Sequence, residues 1–210
     1  MLSIVSFTLG PVMTNAYLIA DPQTREAITI DPADDGEVIV READQRGWRI
    51  GSIWLTHAHF DHLAGAGAVA DGVDPRPPVA MHPDDYPLWR MQGGAPFFGM
   101  HIDPGPEPTI NLTHGQVLRV GNNQIDVRHA PGHTRGHVIF WCSAEAVAFC
   151  GDVIFHDSIG RTDLPGGDYH TLIDSIQKQI LSLPDETRLL CGHGPETTVG
   201  RERKWNPFLS

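Results

Sequence analysis

The chain has 210 residues, 40% hydrophobic and 20% charged, with a formal net charge of −11. That composition excludes collagen-like, coiled-coil and wholly disordered chains, and one hydrophobic core can fill a domain of this length, since cores stop growing only near ~250–300 residues. The acidic balance speaks against nucleic acid or an anionic membrane as partner. No run of 18 apolar residues is present to span a bilayer. The first basic residue is Arg25, so the start lacks the charged region of a secretory signal. The three cysteines, Cys142, Cys150 and Cys191, sit in apolar runs and read as small buried hydrophobes, which fits a reducing compartment and a cytoplasmic protein.

Strands are expected at 2–8 and 16–20, joined by a turn at Gly10-Pro11, and at 27–30, where Asp31-Pro32 ends the pairing. A helix at 36–47 closes on Gly47. A buried strand at 53–55 leads into a histidine-rich segment and a short helix at 62–70. A strand at 79–81 and a helix at 83–91 follow. Residues 92–109 show no periodicity and carry four prolines and the apolar Phe97, Phe98 and Met100. Such a stretch reads as a binding loop, or as a connection whose aromatics cap the core. The second half repeats the style, with strands near 116–120, 124–129, 137–142, 146–150 and 188–191. A helix near 168–181 puts Ile173, Ile176 and Ile180 on one face. Strands followed by helices in both halves predict a layered α/β fold in a single domain spanning residues 1–210.

Thr56-His57-Ala58-His59-Phe60-Asp61-His62 is the strongest chemical signal. On extended backbone His57 and His59 point to one side and can share an ion. Asp61 and His62 lie where the chain turns helical and can face a second ion. More donors follow apolar strands downstream: Gly132-His133, Gly151-Asp152 and Gly192-His193. The preceding glycines allow close backbone approach.

As a set these motifs resemble the metallo-β-lactamase superfamily. The resemblance implies a four-layer αββα sandwich with a binuclear site at one edge. It assigns His57, His59 and His133 to the first metal, Asp61, His62 and His193 to the second, and Asp152 to both. An imidazole and carboxylate set suits two divalent ions: zinc, with iron or manganese as alternatives. The segments Thr14-Asn15-Ala16-Tyr17-Leu18, Pro131-Gly132-His133-Thr134, Ile159–Asp168 and Asn206-Pro207-Phe208-Leu209 are similar to the short bacterial glyoxalase II-like proteins. That branch implies hydrolysis of glutathione thioesters such as S-lactoylglutathione by a metal-bridging hydroxide, which Asp61 orients while ligating. The chain ends about 17 residues after His193, so the helical glutathione-binding domain of the longer enzymes is not expected. The same resemblance places Arg161 against the substrate carboxylate, and His137 and Asp31 behind the ligands. Alternatives are a mononuclear-iron persulfide dioxygenase, a lactonase or other ester hydrolase of the superfamily, and, in another class, a non-catalytic metal-binding domain.

The remaining histidines, His82, His101, His114, His129, His156 and His170, have no partner spacing and read as structural or solvated. Asp34-Asp35 and Asp84-Asp85 read as solvated charge pairs.

Overall fold

The structure, a computed structural model, describes residues 1–209. Strands β1 (Ser3–Leu9), β2 (Thr14–Asp21), β3 (Glu26–Ile30), β4 (Arg49–Trp54), β5 (Val79–Met81) and β6 (Ile110–Asn111) form the first sheet in chain order. The pairing is antiparallel from β1 to β3 and parallel from β3 to β6. The second sheet is built from β7 (Val117–Val120), β8 (Asn123–His129), β9 (Val138–Cys142), β10 (Val147–Gly151), β13 (Arg188–Cys191) and β14 (Thr197–Thr198). Its order is β14-β13-β10-β9-β8-β7, with only β10 and β13 parallel. A small hairpin, β11 (Ile154–Phe155) and β12 (Ser158–Ile159), leaves the rim after β10.

The central strands β2, β3, β9, β10 and β13 are buried on both faces because both faces are covered, whereas β8 alternates apolar and polar side chains. Along β2, Tyr17 and Ile19 point between the sheets, while Ala16, Leu18 and Ala20 point outward, as the two-residue period of a strand requires. The inner layer joins Tyr17, Ile30 and Trp54 to Val127, Phe140 and Phe149 across the sandwich. The outer face of the first sheet is covered by α1 (Gly36–Arg46) and α3 (Ala66–Gly72), through Ile39, Ala43 and Val69. On the second sheet, α5 (Tyr169–Ser175) and the π-helical turn Ile176–Ile180 supply Leu172, Ile176 and Ile180. The order helix, sheet, sheet, helix is the expected four-layer sandwich. The three cysteines are buried and free, as read from the sequence. Among the described residues no helix is long and apolar enough to cross a membrane.

Several helices are shorter than periodicity suggests. The expected helix at 62–70 is split into α2 (Phe60–Leu63) and α3, because Gly65 packs against the Pro32 carbonyl, where a Cβ would lie 2.6 Å from its oxygen. The 83–91 segment is a 3-10 turn, Pro83–Asp85, followed by α4 (Tyr86–Arg90). Residues 92–98, expected to be irregular, form 3-10 turns kinked at Gly93 and Gly94, both left-handed. Asp85, expected to be solvated, is buried at 1% exposure. It fills a gap between the ends of the two sheets, where three hydrogen-bond donors converge on it.

Candidate metal centre

Every predicted donor follows the C-terminal end of a strand or begins the helix after it. β4 leads to His57 and His59, and α2 carries Asp61 and His62. β8 leads to His133, β10 to Asp152 and β13 to His193. The two sheets are stitched at this rim, where Asn15 N donates to the Gly192 carbonyl at 2.7 Å. Two glycines let the ligand loops close up. Gly132 has φ +130°, with the Leu172 backbone where a Cβ would stand, and a Cβ on Gly192 would lie 2.1 Å from Asp152 Oδ1.

All seven residues converge. His57, His59 and His133 form one group, and Asp61, His62 and His193 another. Asp152 reaches into both: Oδ2 lies 3.5 Å from His133 Nε2 and 3.6 Å from His193 Nε2, and Oδ1 lies 3.3 Å from His62 Nε2. Asp61 Oδ2 lies 3.2 Å from His193 Nε2 and 3.6 Å from His62 Nε2. Ligand atoms sharing a tetrahedral ion at ~2.0–2.1 Å stand about 3.3 Å apart, which these separations match.

The tautomers follow by elimination. His133 Nδ1 lies 2.7 Å from the Arg161 carbonyl, which only accepts, so Nδ1 carries the proton and Nε2 offers a lone pair. The His62 Nδ1–H donates to Asp31 Oδ2 at 2.9 Å, freeing Nε2. Thr56 Oγ1 donates to Asp31 Oδ2 at 2.6 Å and therefore accepts from His57 Nδ1 at 3.0 Å, freeing His57 Nε2. Each free nitrogen points into the cradle. His59 Nδ1 and His133 Nε2 lie 2.8 Å apart; with the His133 proton on Nδ1, His59 Nδ1–H donates to His133 Nε2, a bond that a shared ion would replace. His57 Nε2, His62 Nε2 and Asp152 Oδ1 are buried with no hydrogen-bond partner. Such orphans are costly in a finished core, and the donor set therefore fits metal ions.

The electrostatics agree. Burial and the surrounding imidazoles hold the His57 pKa well below its usual value, and burial with His133 pushes His59 down to about 3. Burial disfavours the Asp61 anion, but His62 and His193 outweigh it and lower its pKa to about 2. Asp152 is held below the usual carboxylate range, its burial outweighed by His62 and His133. His62 is raised well above a free imidazole: burial opposes its charge, yet Asp152 and Asp61 prevail. The two carboxylates call for positive charge between them, which divalent ions held by these residues would supply.

Asp31 and His137 both contact residues of the donor loops. Asp31 accepts from Thr56 N, Thr56 Oγ1 and His62 Nδ1, which occupies its oxygens. His137 Nε2 accepts from Asp152 N at 3.0 Å and fixes the start of that ligand. A further cluster, His82, Asp84 and His129, lies outside the cradle. Its imidazoles stack face to face at 4.1 Å and 3°. His82 Nδ1 accepts from Asp84 N, and His129 Nε2 faces the Arg135 carbonyl, so one nitrogen of each ring is already engaged. Asp85, one residue on, was not legible as part of the site. It ties the loops that carry His57, His59 and His133.

A cavity of about 310 Å³ opens onto the donors. Its wall is apolar: Val12, Leu88, Phe97, Phe98, Met100, Leu164 and Pro165. Arg161 lies at its edge, with Nε and Nη2 held by Asp163 at 2.8 and 2.7 Å.

The two-sheet sandwich with histidine and aspartate donors at one rim defines a metal-dependent hydrolase fold. Residues 9–193 match the Metallo-beta-lactamase superfamily, and the chain belongs to that superfamily. It is 35% identical to the hydroxyacylglutathione hydrolase GloC of Haemophilus influenzae (strain ATCC 51907 / DSM 11121 / KW20 / Rd), over 93% of this chain and 92% of that protein. Among solved structures it is similar to the BLEG-1 B3 metallo-beta-lactamase, with a TM-score of 0.91, 38% identity and full coverage of both chains. It is also similar to TTHA1623 in a di-iron-bound form, with a TM-score of 0.88 and 40% identity over 98% of this chain and all of the other.

Proposed function

We propose that the protein is a binuclear metallohydrolase that cleaves thioesters, with glutathione thioesters such as S-lactoylglutathione as the leading substrates. The observation that carries the proposal is the pairing of two three-residue donor groups through Asp152 beneath an apolar cavity. Similarity to a hydroxyacylglutathione hydrolase and to a metallo-beta-lactamase supports attack on an acyl carbonyl, the step both names imply. His57, His59 and His133 would hold one ion, Asp61, His62 and His193 the other, and Asp152 both. Zinc fits the donors, and the di-iron relative makes iron an equal candidate. Two divalent ions there supply Lewis acidity and an acidified water at neutral pH.

The chain's own groups do the rest. Asp61, anchored by Thr14 Oγ1 at 2.9 Å, orients the attacking water. The wall of Phe97, Phe98 and Met100 holds the acyl group and thins the water around it. Arg161 faces a carboxylate on the carrier thiol. A thiolate leaves without a strong acid, so no further proton donor is required. The complete second donor group weighs against a mononuclear-iron oxygenase.

The test loads the protein separately with zinc, iron and manganese, counts bound metal, and follows thiol release from a thioester panel. Two ions per chain with release of glutathione from S-lactoylglutathione is the expected result. Loaded protein inert to every thioester, or oxygen uptake with a persulfide, would overturn the reading.

A further inference from the structure

Sequence gives Asp85 no role, yet the fold buries its carboxylate at the junction of the two ligand loops. Oδ2 accepts from Ala58 N at 3.0 Å and from Thr134 Oγ1 at 2.8 Å, and Oδ1 accepts from Gly136 N at 2.6 Å. Ala58 lies between His57 and His59, on the loop that leaves the first sheet. Thr134 follows His133, on the loop that leaves the second. These contacts join positions 27, 49 and 51 residues away. The approach is close enough that a Cβ on Gly136 would meet the Asp85 backbone nitrogen at 2.7 Å.

The chemistry of this spot admits a carboxylate and little else. All three partners donate, and a carboxylate is the side chain that only accepts. An asparagine in the same place would turn its own N–H groups on one of the donors. Asp85 touches none of the seven metal donors in any bond described, but it sets the distance between the loops that bear three of them. We propose that Asp85 is a positioning residue that assembles the three-histidine half of the metal centre from the two sheets, and so sets the affinity of the ion held by His57, His59 and His133. This rests on the reading that those histidines bind a metal. The second ion would be held by Asp61, His62 and His193 with Asp152, and Asp85 bonds none of α2, the Asp152 loop or the His193 loop, so the affinity for that ion should change far less.

A merely structural role would predict a different result. Asp21 provides the comparison. Its carboxylate accepts from Gln23 N, Asn122 N and Asn123 Nδ2, tying the turn after β2 to the turn between β7 and β8. β2 runs from Thr14 at the metal rim to Asp21, eight residues, so Asp21 lies about 23 Å from that rim at ~3.3 Å per residue. Losing a residue that supports a metal ligand costs ~10–100-fold in metal affinity.

The experiment titrates full-length metal-free protein with Co²⁺ against a competing chelator and resolves the two sites by their visible absorption. Wild type is compared with Asp85→Asn, Thr134→Val and Asp21→Asn, and thermal midpoints are recorded alongside. Expected are a fall of ~10–100-fold at the first site in Asp85→Asn, a smaller fall in Thr134→Val, and less than ~3-fold change at the second site. Asp21→Asn should lower the midpoint while leaving both affinities as in wild type. Thr134→Val removes one of the three bonds and keeps the test open if Asp85→Asn does not fold. Equal losses at both sites, or affinity losses in Asp21→Asn that track its midpoint, would show that Asp85 only stabilises the fold. Unchanged affinity in a folded Asp85→Asn would overturn the proposal outright. A wild-type protein that binds no Co²⁺ would sink the metal reading, and this proposal with it.

Discussion

The metal cradle and the cavity wall lie side by side and are built on opposite terms. In the cradle His57 and His62 are fully buried, and the rings of His57, His62 and His133 are each fixed by a hydrogen bond on the side away from the donors. In the wall Phe97 is 57% exposed and Phe98 49%, on a segment of 3-10 turns kinked at two left-handed glycines. Chemistry here depends on angles that only a stiff, doubly anchored frame can hold. In the proposed reaction, selection among acyl groups would need only apolar bulk near the carbonyl, which a partly exposed loop can present. Substitutions in the two regions should therefore fail in different ways.

The largest effect is expected at Asp152, which faces both donor groups. Asp152→Ala should strip both ions and reduce activity by more than about 100-fold, beyond the range for losing a supporting partner. His193→Ala removes one donor from the second group and should retain the first ion. Metal analysis of the two purified variants distinguishes them, and equal loss of both ions in both would remove the bridging assignment.

Next in size is Asp31, whose carboxylate accepts from His62 Nδ1. Asp31→Ala leaves the Thr56 N–H, the Thr56 hydroxyl and the His62 Nδ1–H without their acceptor. Each buried orphan costs ~1–3 kcal/mol. The thermal midpoint of the metal-free protein should drop by several degrees, and metal affinity should fall by ~10–100-fold. A variant with normal metal affinity and a lowered midpoint would reduce Asp31 to a fold-stabilising role.

The wall reverses that pattern. Phe97→Ala and Phe98→Ala remove side chains already half in water, so little folding free energy is at stake. Each should leave the midpoint within a degree or two, yet raise KM for a bulky apolar acyl thioester by roughly 3–10-fold, as partial loss of ~1 kcal/mol of contact implies. An acetyl thioester, too short to reach the wall, should be turned over alike by both variants and wild type. Marked destabilisation with unchanged kinetics would assign the aromatics to the core.

This contrast also explains what could be read from the sequence. The seven residues that converge could be picked out of the sequence because imidazoles and carboxylates recur at short spacings after strands, most densely in His57-x-His59-x-Asp61-His62. The burial of both faces at Ile53-Trp54-Leu55 was legible from an unbroken apolar run. Asp85 was not. Asp84-Asp85 reads locally as a solvated charge pair at the start of a helix, and the importance of Asp85 comes from donors 27 to 51 residues away. The break between α2 and α3 was hidden for the same reason, since it depends on Pro32 packing against Gly65. The wall was half legible: Phe97, Phe98 and Met100 were visible as apolar residues in a stretch without period, but their place over the donors depends on Gly93, whose backbone abuts Phe60.

Arg161 sits between the two regions, and the smallest effect is expected there. Its backbone belongs to the cradle, because the carbonyl accepts from His133 Nδ1, and that contact survives any side-chain change. Its guanidinium belongs to the cavity edge and is exposed, gripping Asp163 in a two-pronged pair. An exposed pair of this kind contributes ~0–1 kcal/mol, so breaking it costs the fold little. To meet a substrate carboxylate the guanidinium must share or leave Asp163, and the net gain from that exchange is correspondingly small. Arg161→Ala should therefore raise KM for S-lactoylglutathione by only ~2–5-fold, with kcat and metal content unchanged, as loss of uniform binding predicts. Asp163→Ala frees the guanidinium and should lower that KM. A thioester whose thiol lacks a carboxylate should respond to neither change. If Arg161→Ala instead lowers metal content, the side chain is holding the loop that positions His133, and the carboxylate of the substrate must be met elsewhere.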